Sequence, residues 1–252
     1  MKEAEIYSYY AFGFNYRYLR AGLEGKTNKE VYDDITSLYL DEIKGLELQV
    51  TLQVISDLED IVEMLVTLPE DDVIDSSTAK KIKSILDKSD ATLDAELQLR
   101  KVLYITPKRF NQTMLLHEPH KLLAKNAWDA ISQNARVDFA SATSCIAMNQ
   151  STASAFHLMR SVEEMVKQLY FSYVKQKRMA NPMWGPIIQK LTTKNNPKPD
   201  SVLIESLDMI RKNYRNPTQH PDKYYSIDEA QDLLHHSIVV MNMITADIQA
   251  RA

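Results

Sequence analysis

The sequence has few of the residues that build covalent cross-links, interrupt helices or lie within a membrane. It contains one cysteine, five glycines and nine prolines in 252 residues. The single cysteine, Cys145, excludes a disulfide within the chain and favours a reducing compartment such as the cytoplasm. No uninterrupted apolar run approaches the ~20 residues that span a bilayer, and the N-terminal segment lacks the apolar core of a signal peptide. We therefore expect a cytoplasmic protein without a membrane partner.

Patterns typical of strands are also scarce, and this predicts an all-α fold. No segment alternates polar and apolar residues over the length of a strand, and runs of β-branched residues are short. Between Asn28 and Leu68, apolar residues recur at steps of three to five, which is typical of a helix, with Gly45 as one weak point. A further helix is expected from Ser76, which can act as its N-cap together with the following serine, to about Ile105.

The charge is unevenly distributed, and its change of sign coincides with a candidate domain boundary. Residues 1–106 contain 12 basic and 21 acidic residues, whereas residues 107–252 contain 18 and 13, so the net charges are −9 and +5. Because residues 107–118 follow this change and contain a proline at their start, we interpret them as a linker. The basic half suits local attraction of phosphate groups, and it equally suits a surface with unevenly distributed solvated charges.

The resulting organisation is an acidic N-terminal helical region at 1–106 and a helical bundle at 119–252. In the bundle, helices are predicted at about 120–148, 151–178, 201–214 and from 226 onward, with a short helix that ends at 191 after a break at NPMWGPI. Short connections between them favour an antiparallel four-helix bundle. The start of the last helix is the best defined, because Ser226 and Glu229 have the spacing of a capping box.

Two prolines bracket a group of polar residues in YRNPTQHPDKYYS, from Tyr214 to Ser226. The first proline is expected to move Asn216 out of helical geometry, and the second to restrict His220. Arg215 is permanently charged, His220 can change charge near neutral pH, and Asn216 adds hydrogen-bonding groups. These residue types suit phosphate binding and proton transfer. The structural alternative is that Arg215 and His220 only bond the free carbonyls at a helix C-terminus.

The segment RNPTQH, residues 215–220, resembles the Arg-Asn-x-x-x-His motif of HEPN domains. These domains are all-α bundles found in bacterial toxins, abortive-infection proteins and RNA-targeting defence systems. STASAFHLMRSVEEMVKQLY at 151–170 resembles the second helix of a bacterial HEPN group, and MWGPIIQKL at 183–191 resembles the segment that follows it. The resemblance covers roughly residues 119–250, and residues 1–106 carry no comparable motif.

The resemblance implies a metal-independent endoribonuclease, toxin-like or part of a bacterial or phage-defence system. In such enzymes the ribose 2′-hydroxyl attacks the adjacent phosphorus and leaves a 2′,3′-cyclic phosphate. His220 is then expected to perform acid–base catalysis, Arg215 to bind phosphate and stabilise the transition state, and Asn216 to orient the substrate. No metal and no cofactor are expected, and DNA should not be cleaved. A non-catalytic HEPN-like scaffold that binds nucleotides or other proteins is the alternative.

The resemblance also predicts partners. The reaction needs a base and an acid, and because the chain has one copy of the motif, we expect a homodimer with a composite active site. An antitoxin or another defence protein is a further candidate partner. Positively charged residues near the motif are candidate contacts for the RNA backbone, with an ordinary solvated surface as the alternative for each. These residues are Arg211, Lys212, Lys175, Lys177 and Arg178.

Several other patterns are interpreted as structural. Arg160 and Glu163 have the i,i+3 spacing of an ion pair inside the bundle, and Glu164 is expected to face outward. The aromatic-rich segment at 7–20 could stack on RNA bases, but packing at a helix interface is favoured. The adjacent histidines near residue 235 do not by themselves make a metal site. Cys145 is interpreted as a small core residue.

Overall fold

The computed structural model describes residues 5–174 and 182–251, and within these ranges the fold is all-α, as predicted. No strand occurs in the described ranges, apart from an isolated antiparallel bridge between Thr27 and Val73. The chain forms two compact units, Met1–Leu103 and Tyr104–Ala252. Each unit has its own buried apolar cluster. The division lies a few residues before the predicted linker.

The first unit contains six α-helices among its described residues. They are α1 (Ile6–Ala21), α2 (Asn28–Ile35), α3 (Asp41–Gly45), α4 (Gln49–Val54), α5 (Asp57–Thr67) and α6 (Ser76–Leu99), with a π-helical turn (Thr36–Leu40) between α2 and α3. The single helix predicted over 28–68 is therefore wrong. Gly45 ends α3, and Glu47 follows with φ 55°, a left-handed conformation that stops the helix.

The start and the end of α6 also differ from the prediction. Its N-cap is Asp75, whose Oδ1 accepts hydrogen bonds from the backbone N–H groups of Ser77 and Thr78 at 2.9 and 3.0 Å. An aspartate is as good a cap as a serine, and here its extended backbone fixes the start one residue earlier. The helix ends at Leu99, six residues before the predicted end at Ile105.

The aromatic residues of α1 divide into a buried and an exposed group. Phe12 is buried and its ring lies 6.0 Å from that of Tyr39, while the rings of Tyr16 and Tyr39 are 5.5 Å apart. These contacts confirm packing between helices for one side of α1. Tyr7 and Tyr10 are 71 % and 70 % exposed, so the interface prediction does not extend to the other side of the helix.

Among its described residues, the second unit contains two helices of 23 residues and several shorter ones. Its α-helices are α7 (Gln112–Leu116), α8 (Ala127–Ala130), α9 (Gln133–Ala147), α10 (Ser151–Tyr173), α11 (Trp184–Thr192), α12 (Ser201–Ile210), α13 (Asn216–Thr218) and α14 (Ile227–Gln249). A 3-10 turn (Pro119–Leu122) precedes α8, and a π-helical turn (Arg211–Arg215) joins α12 to α13. The helix predicted at 120–148 is thus interrupted, because Ile131 is extended and Ser132 caps α9 anew.

The segment 107–118, predicted to be a linker, is packed into the second unit. It contains α7, and Leu115 within that helix is completely buried. The backbone N–H of Arg109 donates to the side-chain oxygen of Gln231 in α14 at 2.7 Å. Pro107 at the start of the segment and Pro119 just after its end disfavour a long helix, but they do not prevent packing. The boundary between the units therefore lies at residues 103–104.

Helix α10 is the central element of the second unit and packs against α9, α11 and α14. Apolar residues cover its inner side and are completely buried, among them Leu158, Val162 and Leu169. Full burial of each such side chain contributes roughly 1.5–3 kcal/mol. Two buried serines let α9 approach closely, because Ser154 and Ser161 donate hydrogen bonds to α9 carbonyls at 2.9 Å each. This packing gives α10 a fixed position from which its outer residues can act.

Candidate functional site

The first four residues of the RNPTQH motif lie on a continuous helical segment, and Gln219 and His220 follow in a turn and a bend. The π-helical turn at Arg211–Arg215 leads directly into α13, and Asn216 has φ −65° and ψ −49°, which is helical. The prediction that Pro217 moves Asn216 out of helical geometry is therefore wrong. In an α-helix the proline ring would clash with the carbonyl four residues earlier. The wider π turn avoids this clash, because the Asn216 N–H bonds to the carbonyl of Arg211, five residues back.

Arg215 points its guanidinium at a carboxylate of the central helix. Its Nε and Nη2 atoms are each 3.5 Å from Oε2 of Glu163 on α10. The Arg215 and Glu163 side chains are 22 % and 24 % exposed, so the pair is reachable from solvent. Contacts of this length lie at the outer limit of hydrogen bonding. A phosphate oxygen that approaches more closely can replace Glu163 as the partner of Arg215, because guanidinium groups bind phosphate in bidentate geometry.

His220 and Asn216 present free polar groups next to this arginine in the sequence. The turn at His220 is defined by backbone bonds, since its N–H donates to the Pro217 carbonyl at 2.9 Å and its carbonyl accepts from the Lys223 N–H at 3.2 Å. Both residues are exposed. Neither side chain has a hydrogen-bond or ion-pair partner within the described ranges. The imidazole and the amide are therefore available to a ligand.

Buried hydrogen bonds hold the loop that carries His220. Thr218 is buried, and its hydroxyl is 2.7 Å from that of Tyr225. Both hydroxyls also approach the carbonyl of Tyr214, at 2.7 and 3.2 Å. The backbone N–H of Tyr225 donates to the hydroxyl of Thr152, in the first turn of α10, at 3.1 Å. The exposed histidine thus stands on a rigid support, which a proton-transfer group requires.

The predicted capping box at the start of α14 is confirmed. Ser226 accepts from the N–H of Glu229 at 3.1 Å, and Glu229 accepts from the N–H of Ser226 at 2.7 Å. Hydrogen bonds from the Ser226 backbone and from Lys223 lower the pKa of Glu229. Lys223 adds a further brace, because its ammonium is 3.0 Å from Glu229 and lies over the ring of Tyr225. The C-terminal end of the loop is therefore as well fixed as its start.

The predicted RNA contacts on the π turn are already paired. Arg211 contacts Asp208 Oδ1 through Nε and Nη2 at 3.0 and 2.8 Å, and Lys212 Nζ is 2.6 Å from Oδ2. The Lys212 hydrogen bond and then those from Arg211 lower the pKa of Asp208. Arg211 is 24 % exposed and Lys212 62 %, so Lys212 is the more accessible of the two. Lys175, Lys177 and Arg178 lie outside the described residues.

The ion pair predicted between Arg160 and Glu163 is wrong, and both residues have other partners. Arg160 Nε donates to Oδ2 of Asp138 on α9 at 3.0 Å, while Oδ1 of the same carboxylate is 2.9 Å from Nδ1 of His157. Glu163 contacts Arg215. Glu164 is partly exposed and lies 3.7 Å from Lys167 one turn further along α10. These contacts place two ionic clusters on one side of α10.

Two residues of these clusters are missing from the site predicted by the sequence. One is Glu163, for which the sequence predicts only a structural role. The other is Asp138, which no motif in the sequence selects. Asp138 lies in the stretch ARVDFASA of α9, on the side of the helix that is buried. A charged residue at such a position requires polar partners, and that requirement was a usable signal.

Other candidate chemistry has no support in the described parts of the chain. No group of three or more His, Cys, Asp or Glu residues there has the arrangement of a metal site. Burial raises the pKa of the Cys145 thiol, but the residue is only half-buried and is not among the buried residues of the apolar cluster, so its interpretation as a core residue is not met. None of the described helices combines the length and the apolar character needed to cross a bilayer.

Comparison with known proteins finds no relative: no family model matches the sequence, no curated protein matches it, and no solved structure matches its fold. Function must therefore be inferred from the geometry around Arg215 and His220 and from the motif that contains them.

Proposed function

We propose that the second unit is a metal-independent endoribonuclease in which Arg215 and His220 are catalytic. One observation carries the proposal: among the described residues, neither side chain bonds a carbonyl group at the end of the helical segment. If the pair served only as a helix cap, the two side chains would bond free carbonyl groups. Within the described residues Arg215 contacts only Glu163, at 3.5 Å, and the His220 side chain contacts no polar group. Both remain available for a substrate.

The chemistry of these groups fits cleavage of an RNA strand by its own 2′-hydroxyl. An imidazole takes the proton from this hydroxyl, the oxygen attacks the adjacent phosphorus, and the bond from phosphorus to the 5′ oxygen breaks. The leaving oxygen takes up a proton, and the products are a 2′,3′-cyclic phosphate and a 5′-hydroxyl. Arg215 would stabilise the negative charge that grows on the nonbridging oxygens. Asn216 would orient the ribose or phosphate through its amide.

Glu163 has a positioning role in this proposal. Its carboxylate holds the guanidinium of Arg215 near α10 when no substrate is bound. Because the contacts are long, their loss costs little when phosphate oxygens take over. Removal of the negative charge by Glu163→Gln should strengthen RNA binding and lower KM. It should leave kcat little changed, because phosphate oxygens and not Glu163 orient the guanidinium once the substrate is bound.

The proposal includes a homodimer, since a single imidazole cannot act as base and acid in the same step. Two copies related by a twofold axis would bring two His220 and two Arg215 side chains to one cleft. The helices next to the motif would form the interface. Sedimentation and activity measured over the same range of protein concentration test this. Activity should follow the dimer fraction, whereas full activity in a 29.0 kDa monomer would contradict a composite site.

We further propose a toxin-like or defence role. An endoribonuclease without a narrow substrate range must be restrained in its own cell. The first unit carries a net charge of −9, which disfavours contact with RNA and suits a role in restraint or in recognition of a partner. An antitoxin or defence-system protein is the expected partner. Growth arrest on overexpression that requires both Arg215 and His220 would support this role.

The direct test is incubation of the purified protein with labelled RNA in EDTA. Wild-type protein should cleave, Arg215→Ala and His220→Ala should not, and all variants should have the same secondary structure and oligomeric state. His235→Ala is the matched control, because His235 is also an exposed histidine of the second unit and lies outside the motif. No product from several classes of RNA would favour the non-catalytic scaffold.

A further inference from the structure

A buried carboxylate on α9 holds two side chains of α10. Asp138 is 8 % exposed, and its two oxygens are 2.9 Å from Nδ1 of His157 and 3.0 Å from Nε of Arg160. The Arg160 side chain is 72 % exposed and that of His157 is 36 % exposed. Burial of an ionised carboxylate is unfavourable unless it is paired, and here each oxygen has its own donor. The buried acid therefore fixes the two outer groups in place.

These bonds leave the outward atoms of both side chains free. Arg160 is bound through Nε, so its two terminal amino groups have no partner among the described residues. The second ring nitrogen of His157, Nε2, also has none. When Nδ1 donates to Asp138, the Nε2 atom of a neutral imidazole is an acceptor. The cluster thus presents a pair of cationic donors beside one acceptor, with little freedom left to lose on binding.

The cluster is adjacent to the proposed catalytic arginine. Arg160 and Glu163 are three residues apart on α10, which places their Cβ atoms about 5–6 Å from each other. Glu163 in turn contacts the guanidinium of Arg215 at 3.5 Å. An RNA strand with one phosphate at Arg215 would therefore bring a neighbouring nucleotide toward Arg160 and His157.

We propose that Arg160 and His157, oriented by Asp138, form a second subsite that binds a ribose-phosphate unit next to the scissile phosphate. The inference rests on the proposed function for its ligand, a single strand of RNA. Arg160 binds the phosphate through its amino groups. His157 Nε2 accepts a hydrogen bond from the 2′-hydroxyl, which DNA lacks. Asp138 is a positioning residue and does not touch the ligand.

The test is equilibrium binding of two oligonucleotides of the same sequence, one RNA and one DNA, to protein that also carries His220→Ala so that no cleavage occurs. Arg160→Gln should weaken binding of both strands roughly tenfold and reduce the dependence on salt by about one phosphate contact. Lys29→Gln, which removes an exposed and paired lysine of the first unit, is the matched control and should change neither value.

His157→Asn separates the subsite from a purely structural role. The asparagine amide can replace Nδ1 as donor to Asp138, but it offers nothing in place of Nε2. Binding of RNA should therefore weaken several-fold, while binding of DNA and the thermal unfolding temperature stay unchanged. An equal effect on RNA and DNA, or none on either, would overturn the role of His157. Arg160→Lys, which keeps the charge without the planar pair of amino groups, should bind with intermediate affinity.

The two proposals fail in different ways. If the wild-type protein cleaves RNA, and Arg160→Gln and His157→Asn bind RNA like the parent protein with the same salt dependence, the subsite is wrong and the nuclease stands. If the wild-type protein yields no product but Arg160→Gln weakens RNA binding as expected, the catalytic proposal is wrong and the subsite stands.

Discussion

The two units use their polar side chains in different ways. In the first unit they complete bonds that hold helices together: Glu96 of α6 accepts the N–H groups of Val50 and Thr51 at 3.1 and 2.7 Å, at the start of α4. In the second unit the motif residues stay incompletely bonded, since the Arg215 side chain is 3.5 Å from Glu163, its one partner among the described residues. Short, saturated contacts stabilise a fold, whereas under-bonded polar groups on a rigid support are available to a ligand.

The two units also differ in net charge. The first unit has a net charge of −9 and the second +5. The positive charge of the second unit is not equally accessible everywhere, because Arg211 and Lys212 share Asp208, whereas the amino groups of Arg160 have no partner among the described residues. We therefore expect RNA to bind around Arg160 and Arg215 more than at Arg211 and Lys212. The first unit should add nothing to RNA affinity.

The largest effect is expected from His220→Ala. Loss of the proton-transfer group should lower the RNA cleavage rate about 10²- to 10⁴-fold. The thermal unfolding temperature should not change, because this side chain has no partner within the described residues. Single-turnover cleavage assays measure the rate. Cleavage at the wild-type rate would show that the exposed histidine is not part of the chemistry.

Arg215→Ala should have the second largest effect. Removal of the group that stabilises the phosphate charge should lower kcat about 10²- to 10³-fold. Arg215→Lys should restore part of this activity, because a lysine keeps the charge but cannot bind two phosphate oxygens in bidentate geometry. A lysine variant with no more activity than the alanine variant would contradict the electrostatic role, provided that both variants fold and dimerise.

A change in the first unit should give the opposite result. Tyr39 is buried, and its hydroxyl is 2.8 Å from that of Ser89, which itself donates to the Leu86 carbonyl. Tyr39→Phe should destabilise the protein by about 0.5–1.5 kcal/mol through loss of this bond. Denaturant unfolding measures the change. RNA cleavage at low temperature should be unaffected. A parallel loss of cleavage would contradict the claim that the first unit does not take part in catalysis.

The smallest effect concerns the N-cap of α6. Hydrogen bonds from the Thr78 hydroxyl and backbone, and from the Ser77 backbone, lower the pKa of Asp75 below its usual value of 3.8. A lowered pKa means that the ionised cap stabilises the fold above pH 3.8 and loses this contribution as the pH falls through the lower, folded-state value. Asp75→Asn keeps a capping side chain but cannot titrate. The difference in stability between the two proteins should therefore shrink on acidification.

Local patterns in the sequence predicted much of the fold. The spacing of apolar residues gave the all-α class, and Ser226 with Glu229 gave the start of α14 to the residue. The interruptions between 28 and 68 were not predictable in the same way. Their positions depend on how α2, α5 and α6 pack, because an apolar period of three to five continues across a break. The π turn before Pro217 was not predictable for the same reason, because it depends on packing. Local propensity alone favours a helix end before a proline.

The candidate site was predictable only in part. Arg215 and His220 lie in a short motif, so their sequence spacing is sufficient to select them. Their surroundings depend on tertiary packing: Glu163 is 52 residues from Arg215 and Asp138 is 22 from Arg160 in the sequence. Sequence spacing predicted the local i,i+3 pair of Arg160 and Glu163. Packing of α9 and of the π-helical turn beside α10 supplied each of them with a different partner.

The most direct test of the central claim is the identity of the ends that cleavage leaves. RNA treated with wild-type protein in EDTA should carry 2′,3′-cyclic phosphate and 5′-hydroxyl ends, and a strand with 2′-deoxyribose at the cleaved position should remain intact. Mass spectrometry of the products measures both. Products with 3′-hydroxyl and 5′-phosphate ends, or equal cleavage of the deoxy strand, would contradict attack by the 2′-hydroxyl and with it the roles given to Arg215 and His220.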